Sequence, residues 1–202
     1  MERIDAVITW VDGNDPEFIR SKNKYLKSNK GEKGIQDFGL LDTRFVNIGE
    51  LKYCIKLIRK NLRFINKIFV LTNGQKPDFI DDRFLVKYNL VLVDHETVLG
   101  ERYKNFLPVF NSQSIEAMLA RIPGLSERFL YFNDDVFIAR EMRKEDFFSH
   151  DGVVVHGVYR FKNIWLDRVH RAFDRQFYVG TVGLRRESRN FPKKLLYFSP
   201  TQ

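Results

Sequence analysis

The residues best suited to chemistry are two adjacent carboxylates, Asp134 and Asp135, which follow Asn133 at the end of an apolar run. Neighbouring carboxylates repel each other, so holding them together costs free energy unless a cation or a hydrogen-bond donor compensates. A hard divalent cation that bridges diphosphate oxygens would supply this compensation. The alternative is an ordinary Asn-Asp turn. The position directly after an apolar strand favours a functional role.

Two further polar segments also follow apolar runs. In the first, WVDGND (Trp10–Asp15), Asp12 and Asn14 could accept hydrogen bonds from a base or ribose, and Gly13 permits close backbone approach. In the second, TNGQ (Thr72–Gln75), the side chains could hydrogen-bond a polar ligand. Taken alone, each segment is better interpreted as a turn between two elements.

Other reactive side chains carry weaker signals. Glu116 lies on a predicted helix, where composition favours a surface charge over a substrate contact. His95, between two acids after a strand, is the most site-like histidine, but the histidines lack metal-ligand spacing such as H-x3-H. Cys54 falls on the inward stripe of a helix, a poor place for a nucleophile. The sequence contains no Walker loop, Rossmann glycine fingerprint or G-x-S-x-G elbow.

The elements that must position these residues are short apolar strands alternating with helices. Strands are predicted over Ile4–Trp10, Lys67–Thr72, Asn89–Asp94, Arg128–Phe132, Gly152–Val158 and Phe177–Val182. Helices are predicted over Glu17–Ser28, capped by Asp15, from a capping-box-like Asn47 and Glu50 to Leu62, and over Ser112–Arg121. This alternation predicts an α/β fold with a largely parallel sheet, in which ligands bind outside the carboxyl ends of the strands.

Composition sets the protein class. The chain has 202 residues, 44% of them hydrophobic, and one cysteine, which indicates a globular core and excludes both a disordered chain and an internal disulfide framework. No apolar run approaches the roughly 18 residues that a membrane-spanning helix needs. Because acids interrupt the first five residues, a signal peptide is not expected, and a cytoplasmic location is predicted.

Positive charge is concentrated at the C-terminal end. Residues 156–202 hold ten Lys and Arg against three Asp and Glu, so we predict a core over residues 1–155 and a basic segment over 156–202. Such asymmetry indicates either an anionic partner, such as a phosphorylated substrate, an acidic polymer or a membrane surface, or simply a solvated face. Because no aromatic residues alternate with the basic ones in a nucleic-acid motif, we predict no nucleic-acid partner.

Longer segments resemble one protein family. IDAVITWVDGNDPE (Ile4–Glu17) resembles the first conserved region of the Stealth family of sugar-phosphate transferases. Five segments within Arg44–Phe148 resemble the second conserved region of the same family. They are RFVNIGELKYCIKLI, KIFVLTNGQKP, LVDHETV, LPVFNSQSIEAMLARIPGLSERFLYFNDDVFI and DFF. The family includes bacterial capsular polysaccharide phosphotransferases and the animal N-acetylglucosamine-1-phosphotransferase.

The resemblance implies a glycosyltransferase-A-like core and a specific reaction. A hexose 1-phosphate would pass from a nucleotide sugar, typically a UDP-N-acetylhexosamine, to a hydroxyl of a growing polysaccharide or glycan, and the nucleoside monophosphate would leave. It implies Mg²⁺ or Mn²⁺ as cofactor and an enzyme at the cytoplasmic side, with possible membrane contact through the basic segment. Phosphoryl transfer of this kind depends mainly on positioning and charge neutralisation.

Residue roles follow from the same resemblance. Asp135 matches the catalytic aspartate and would either bind the metal or accept the proton of the acceptor hydroxyl. Asp134 belongs to the same motif and would bind the metal, and Arg44 could clamp a phosphate. The remaining matched positions, expected to bind substrate, are Trp10, Asp12, Gly13, Asp15, Asn73, Gly74, Gln75, Ser112, Glu116 and Asn133.

The sequence departs from the family pattern in one respect, because the third and fourth conserved regions are not found. A truncated form, a required partner, or replacement by His156 and the basic segment would each account for this. Two other functions therefore stay open: a glycosyltransferase that moves the sugar without its phosphate, and a catalytically incomplete chain that binds nucleotide sugar.

Overall fold

Four parallel strands form the central sheet of this computed structural model, which describes residues 3–28, 45–150 and 152–154. The strands are β1 (Ile4–Thr9), β2 (Ile68–Thr72), β3 (Leu90–Asp94) and β4 (Arg128–Asn133). Their order across the sheet is β3-β2-β1-β4, and every neighbouring pair is parallel. The α/β fold with a largely parallel sheet is thereby confirmed, as are the first four of the six predicted strands, each to within one residue at either end.

Helices connect the strands and cover the sheet. They are α1 (Pro16–Ser28), α2 (Glu50–Asn61), α3 (Asp82–Tyr88), α4 (His95–Tyr103) and α5 (Ser112–Glu116). Single turns of 3-10 helix follow at Lys104–Phe106, Leu119–Arg121 and Lys144–Asp146. The apolar stripe predicted for α2 is confirmed, since Leu51, Cys54, Ile55 and Ile58 are all buried. Strands β1 and β2 are buried almost throughout, which is typical of parallel sheets whose faces are covered by crossover helices.

Two predicted helix boundaries are wrong by more than one residue. The helix predicted over Ser112–Arg121 ends at Glu116, because its backbone bonds tighten to the i−3 pattern: Met118 N–H donates to Ile115 O, and Arg121 N–H donates to Met118 O. The helix predicted to start at Asn47 starts at Glu50 instead, with Gly49 in the left-handed region at φ 94°. Asn47 and Glu50 accept hydrogen bonds from the Gly49 and Ile48 amides and so shape this turn.

Asp5 connects chain segments at the amino-terminal ends of the strands, whereas the predicted site lies at their carboxyl ends. Its fully buried carboxylate accepts hydrogen bonds from Asn66 Nδ2, the Lys67 amide and the Ser126 amide at 2.8–2.9 Å. Burial alone would raise the pKa of Asp5, but the hydrogen bonds from Ser126, Asn66 and Lys67 outweigh it and hold the pKa below its ordinary value of 3.8. Asp5 is therefore a structural residue that joins three segments.

The chain divides into two compact units, the described parts of which are residues 3–28 and 45–143, and residues 144–150 and 152–154. The second unit contains the antiparallel pair β5 (Phe148–Ser149) and β6 (Gly152–Val153). The prediction of a strand from Gly152 is met over these two residues. Its continuation to Val158, the strand at Phe177–Val182 and the basic segment 156–202 lie outside the described residues. Within the described part, no helix is long and apolar enough to span a membrane.

Candidate functional site

Between β1 and β4 the order in which the chain adds strands to the sheet reverses. The carboxyl ends of these two strands therefore lie at the topological switch point. From β1 the chain adds β2 and then β3 on one side, whereas β4 returns to the other side. The register pairs Thr9 of β1 with Asn133 of β4, so the segments that follow both strands emerge next to each other. Ligands of open α/β sheets bind in the crevice at such a switch point. The acidic pair and the loop after β1 are the two candidate segments that flank it.

The loop after β1 is held by an amide from the loop after β2. Gln75 Oε1 accepts from the Asp12 amide at 2.8 Å, and Gln75 Nε2 donates to Asp12 O at 3.0 Å. The side chain of Gln75 thus pairs with the Asp12 backbone as a neighbouring strand would. Asp12 Oδ1 in turn accepts from the Asn14 amide at 2.9 Å, which closes a local turn. The segment after β1 forms a turn at Gly13 and Asn14, as predicted, whereas the segment after β2 forms a bend at Asn73 and Gly74. The two segments are joined to each other through Gln75.

Gly13 and Asp15 complete this loop. The Gly13 amide donates to Phe45 O at 2.9 Å, and a Cβ at position 13 would lie 2.1 Å from that oxygen. The close approach expected at Gly13 is therefore made by backbone of this chain. Asp15 Oδ1 accepts from the Phe18 amide at 2.7 Å, which confirms Asp15 as the cap of α1 with Pro16 as its first residue.

The acidic pair follows β4 at the other side of the crevice. Asp135 is exposed and Asp134 is half-buried. Burial raises the pKa of Asp134 to about 6; backbone amides oppose this, whereas the charges of Asp135 and Glu50 act in the same direction. Glu50 is near because Cys54, one turn further along the same face of α2, lies with Sγ 3.8 Å from Asn133 O. Three carboxylates thus concentrate negative charge beside the crevice.

A hydrogen-bond network lies beneath Asn133. The Tyr131 hydroxyl is 2.9 Å from Thr9 Oγ1 on the neighbouring strand and 2.9 Å from Asn133 Oδ1. It is also 3.4 Å from Glu116 Oε1 on α5. Glu116, which composition assigned to the surface, is half-buried and points its carboxylate at this network. The network therefore connects β1, β4 and α5 at the switch point.

The other candidate residues are placed differently. Trp10 is only 5% exposed, so its ring belongs to the core at the end of β1. Gly74 adopts φ 70°, and a Cβ there would lie 3.1 Å from Asp94 Oδ2, which places this turn next to the end of β3. Asn73 is half-buried in the same turn, and Ser112 is exposed on the first turn of α5. Arg44 lies outside the described residues.

Cys54 and His95 lack the properties of catalytic groups. Cys54 is fully buried, and burial, together with the charges of Asp134 and Asp135, raises the pKa of its thiol to about 12. Burial lowers the pKa of His95 to about 4 against the charge of Asp94, so the imidazole is neutral at pH 7. The expectation that Cys54 is no nucleophile agrees with this burial.

Sequence reasoning missed Glu50, Tyr131 and Thr9. Glu50 was interpreted only as a helix-start residue, because its contact with the acidic pair requires the packing of α2 against β4. Tyr131 precedes Asn133 by two positions, and the period of a strand puts both on one face. That spacing is the signal that could have identified Tyr131.

The geometry describes a parallel α/β protein with an acidic site at the switch point of its sheet. Comparison with known proteins identifies the group more closely. Residues 2–30 match the conserved region 1 of Stealth proteins, and residues 44–156 match their conserved region 2. The chain belongs to the Stealth family, and the predicted glycosyltransferase-A-like fold agrees with this membership.

Several curated relatives carry informative names. The capsular polysaccharide phosphotransferase cps1A of Actinobacillus pleuropneumoniae is 39% identical over 150 residues, which are 74% of this chain and 39% of that protein. The capsular polysaccharide phosphotransferase CpsJ of Streptococcus thermophilus is 34% identical over 173 residues, 82% of this chain and 69% of that protein. LcbA of Neisseria meningitidis, named likewise, is 37% identical over 152 residues, 75% of this chain and 39% of that protein. The chain thus spans about two fifths of the length of the Actinobacillus and Neisseria relatives.

Proposed function

We propose that this chain transfers a hexose 1-phosphate, an N-acetylhexosamine 1-phosphate in particular, from a UDP-sugar to a hydroxyl of a growing capsular or surface polysaccharide. The observation that carries the proposal is the position of Asp134 and Asp135 at the switch point, directly across from the ordered loop after β1. Nucleotide ligands of open α/β sheets bind at this position in the strand order, which supports a nucleotide diphosphate as the ligand. The names of the Stealth relatives support phosphotransfer as the reaction.

The two sides of the crevice have complementary roles in this proposal. The loop after β1 and the turn after β2, fixed to each other through Gln75 and Asp12, face the nucleoside. Asn133, Asp134 and Asp135 face the diphosphate. The acceptor oxygen attacks the sugar-linked phosphorus, the bond from that phosphorus to the bridging oxygen breaks, and UMP leaves. The acceptor's proton passes to Asp135, which is the more exposed carboxylate of the pair.

The acidic cluster fits a divalent cation, Mg²⁺ or Mn²⁺. Like-charge crowding around Asp134 is relieved when a cation binds, and Asp134 and Asp135 would hold it. Among the described residues no group of three or more His, Cys, Asp or Glu is arranged to hold a metal alone. Mg²⁺ commonly uses one or two protein carboxylates and takes its other ligands from substrate phosphates and water, so in this proposal the substrate completes the ligand set. When bound, the cation would neutralise the charge of the diphosphate.

The test is an assay of nucleotide products. The purified chain is incubated with UDP-N-acetylglucosamine, Mg²⁺ and an oligosaccharide acceptor, and nucleotides are separated by chromatography. Acceptor-dependent UMP is expected from the wild type. In Asp135→Asn, turnover should fall by about two or more orders of magnitude, while the matched exposed variant Asp82→Asn retains activity.

Each alternative function gives a different product pattern. UDP instead of UMP would indicate transfer of the sugar without its phosphate. Clear binding of UDP-N-acetylglucosamine with no nucleotide product would indicate a donor-binding chain that needs a further component. Near-normal turnover in Asp135→Asn would contradict the assignment of the site itself.

A further inference from the structure

Tyr131 is a buried phenol whose hydroxyl lies at the base of the candidate site. It is 8% exposed, and its ring packs in the core with Val7, Phe129 and Ile115. Its hydroxyl lies 2.9 Å from Thr9 Oγ1 and from Asn133 Oδ1. The other buried residues of that cluster are apolar, so the hydrogen bonds of the hydroxyl are what distinguishes Tyr131 from a phenylalanine at this position.

Counting protons gives this network a direction. A phenol has one proton, and an amide oxygen or an ionised carboxylate can only accept. Asn133 Oδ1 at 2.9 Å is closer to the Tyr131 hydroxyl than Glu116 Oε1 at 3.4 Å, so the proton of Tyr131 goes to Asn133. By distance alone the Thr9 hydroxyl could donate or accept, but with the Tyr131 proton on Asn133 it is the donor to the Tyr131 oxygen. The hydrogen bonds run from Thr9 through Tyr131 to Asn133.

This direction fixes the amide of Asn133. Because Oδ1 is engaged by a buried hydroxyl, the group that this exposed side chain can offer to a ligand is its NH₂. An NH₂ group donates hydrogen bonds and therefore suits the oxygens of a phosphate. A freely rotating amide would present its oxygen, which repels phosphate, part of the time.

We propose that Tyr131 is a positioning residue that, supported by Thr9, holds Asn133 with its NH₂ toward the diphosphate of the sugar donor. The inference rests on the proposed function, because that function supplies the phosphate. Tyr131 acts through Asn133 and does not itself touch substrate. Residues that orient a ligand-binding group in this way typically contribute about 10- to 100-fold to activity.

The test is a double-mutant cycle with Tyr131→Phe, Asn133→Ala and the double variant. Tyr131→Phe removes the hydroxyl and retains the ring. We expect kcat to fall about 10- to 100-fold in Tyr131→Phe, with a KM for UDP-N-acetylglucosamine changed by less than about threefold. In the Asn133→Ala background the same change should have no further effect. Tyr88→Phe, on a ring that packs against Phe84 on α3, is the matched control and should leave kcat unchanged.

Equal losses from Tyr131→Phe in both backgrounds would overturn the inference, since Tyr131 would then act independently of Asn133. If Tyr131→Phe fails to fold, Thr9→Val interrupts the same chain one bond earlier and is expected to show the same dependence on Asn133. Thermal melting identifies that case.

A second readout does not need activity. The side-chain NH₂ resonances of Asn133 are assigned by their loss in Asn133→Ala in ¹H–¹⁵N spectra. We expect these resonances to shift in Tyr131→Phe and to remain in Tyr88→Phe. If the wild type transfers no sugar phosphate, the proposed function fails, and this spectrum still decides the inference: unchanged Asn133 resonances in Tyr131→Phe would overturn it.

Discussion

Gln75 offers the most direct test of how the loop after β1 is held in place. Its amide makes two hydrogen bonds to the Asp12 backbone, at 2.8 and 3.0 Å, across 63 residues of sequence. Gln75→Ala removes both bonds without placing a new group in the site. The Asp12 amide and carbonyl would then form hydrogen bonds with water instead, and the loop would sample other conformations.

The magnitude follows from the two bonds. Each intramolecular hydrogen bond contributes about 1 kcal/mol net, so the ordered loop should lose about 2 kcal/mol relative to its open states. Since 1.4 kcal/mol corresponds to a factor of about ten, the open population should rise about 30-fold. Gln75→Glu should have a smaller effect on the Asp12 amide, because a carboxylate still accepts from it, although it meets Asp12 O unfavourably.

Hydrogen exchange measures this population at the Asp12 amide. We expect exchange there to accelerate by up to about 30-fold in Gln75→Ala. If the loop binds the nucleoside, the Kd for UDP-N-acetylglucosamine rises in inverse proportion to the ordered fraction, so it approaches a change of about 30-fold only where the wild-type loop is already mostly open. Lys76→Ala, at the adjacent exposed position, is the control. Unchanged Asp12 exchange in Gln75→Ala would refute the argument that Gln75 orders the loop. Accelerated exchange with unchanged affinity would show that the ordered loop remains the main conformation in Gln75→Ala, and Gly13→Ala then tests whether the loop contacts the ligand.

Three further predictions test other parts of the structure. Because the pKa of Asp5 is lowered in the fold, its carboxylate contributes stability above pH 3.8 that is lost as the pH falls below that value. In denaturant titrations, Asp5→Asn should therefore have a lower free energy of unfolding than the wild type at pH 7. Its free energy of unfolding should also fall less steeply as the pH is lowered. Gly13→Ala should distort the loop against Phe45 O and abolish nucleotide-sugar binding measured by calorimetry, while far-ultraviolet circular dichroism is retained; normal affinity would mean that the loop does not bind the nucleotide. Asp134→Asn should weaken Mn²⁺ binding about tenfold or more in the presence of UDP, followed by paramagnetic relaxation, and equal affinity would exclude Asp134 as a ligand.

Local sequence signals were sufficient for the strands and for their polar ends. Ile4–Thr9 and Ile68–Thr72 are apolar and rich in β-branched residues, and each is followed by a turn sequence, so the edge of the sheet that carries the site could be predicted. The cap of α1 at Asp15 was likewise local, since Asp followed by Pro is a helix-start sequence.

Partners that are distant in sequence could not be predicted in the same way. Gln75 carries no local sign that its amide pairs with the Asp12 backbone, because that pairing depends on β1 and β2 being neighbours in the sheet. The charge of Glu50 acts on Asp134 because α2 comes close to the end of β4, where Cys54 Sγ lies 3.8 Å from Asn133 O, and helical periodicity does not specify this packing. Short α3 was missed because seven residues are too few for a clear helical period.

These contacts also explain how the site could combine order with reactivity. The loop after β1 is held by Gln75 and by Phe45 O, and Asn133 is held by Tyr131, so these parts are ordered by the chain itself. Groups ordered before binding lose less entropy when the ligand arrives, and fixed donors stabilise developing charge most effectively. The acidic pair differs, because burial and the charges of Asp135 and Glu50 disfavour the ionised form of Asp134, and backbone hydrogen bonds only partly offset this. Binding of a cation and a diphosphate would therefore release free energy mainly at Asp134 and Asp135, where the proposed reaction takes place.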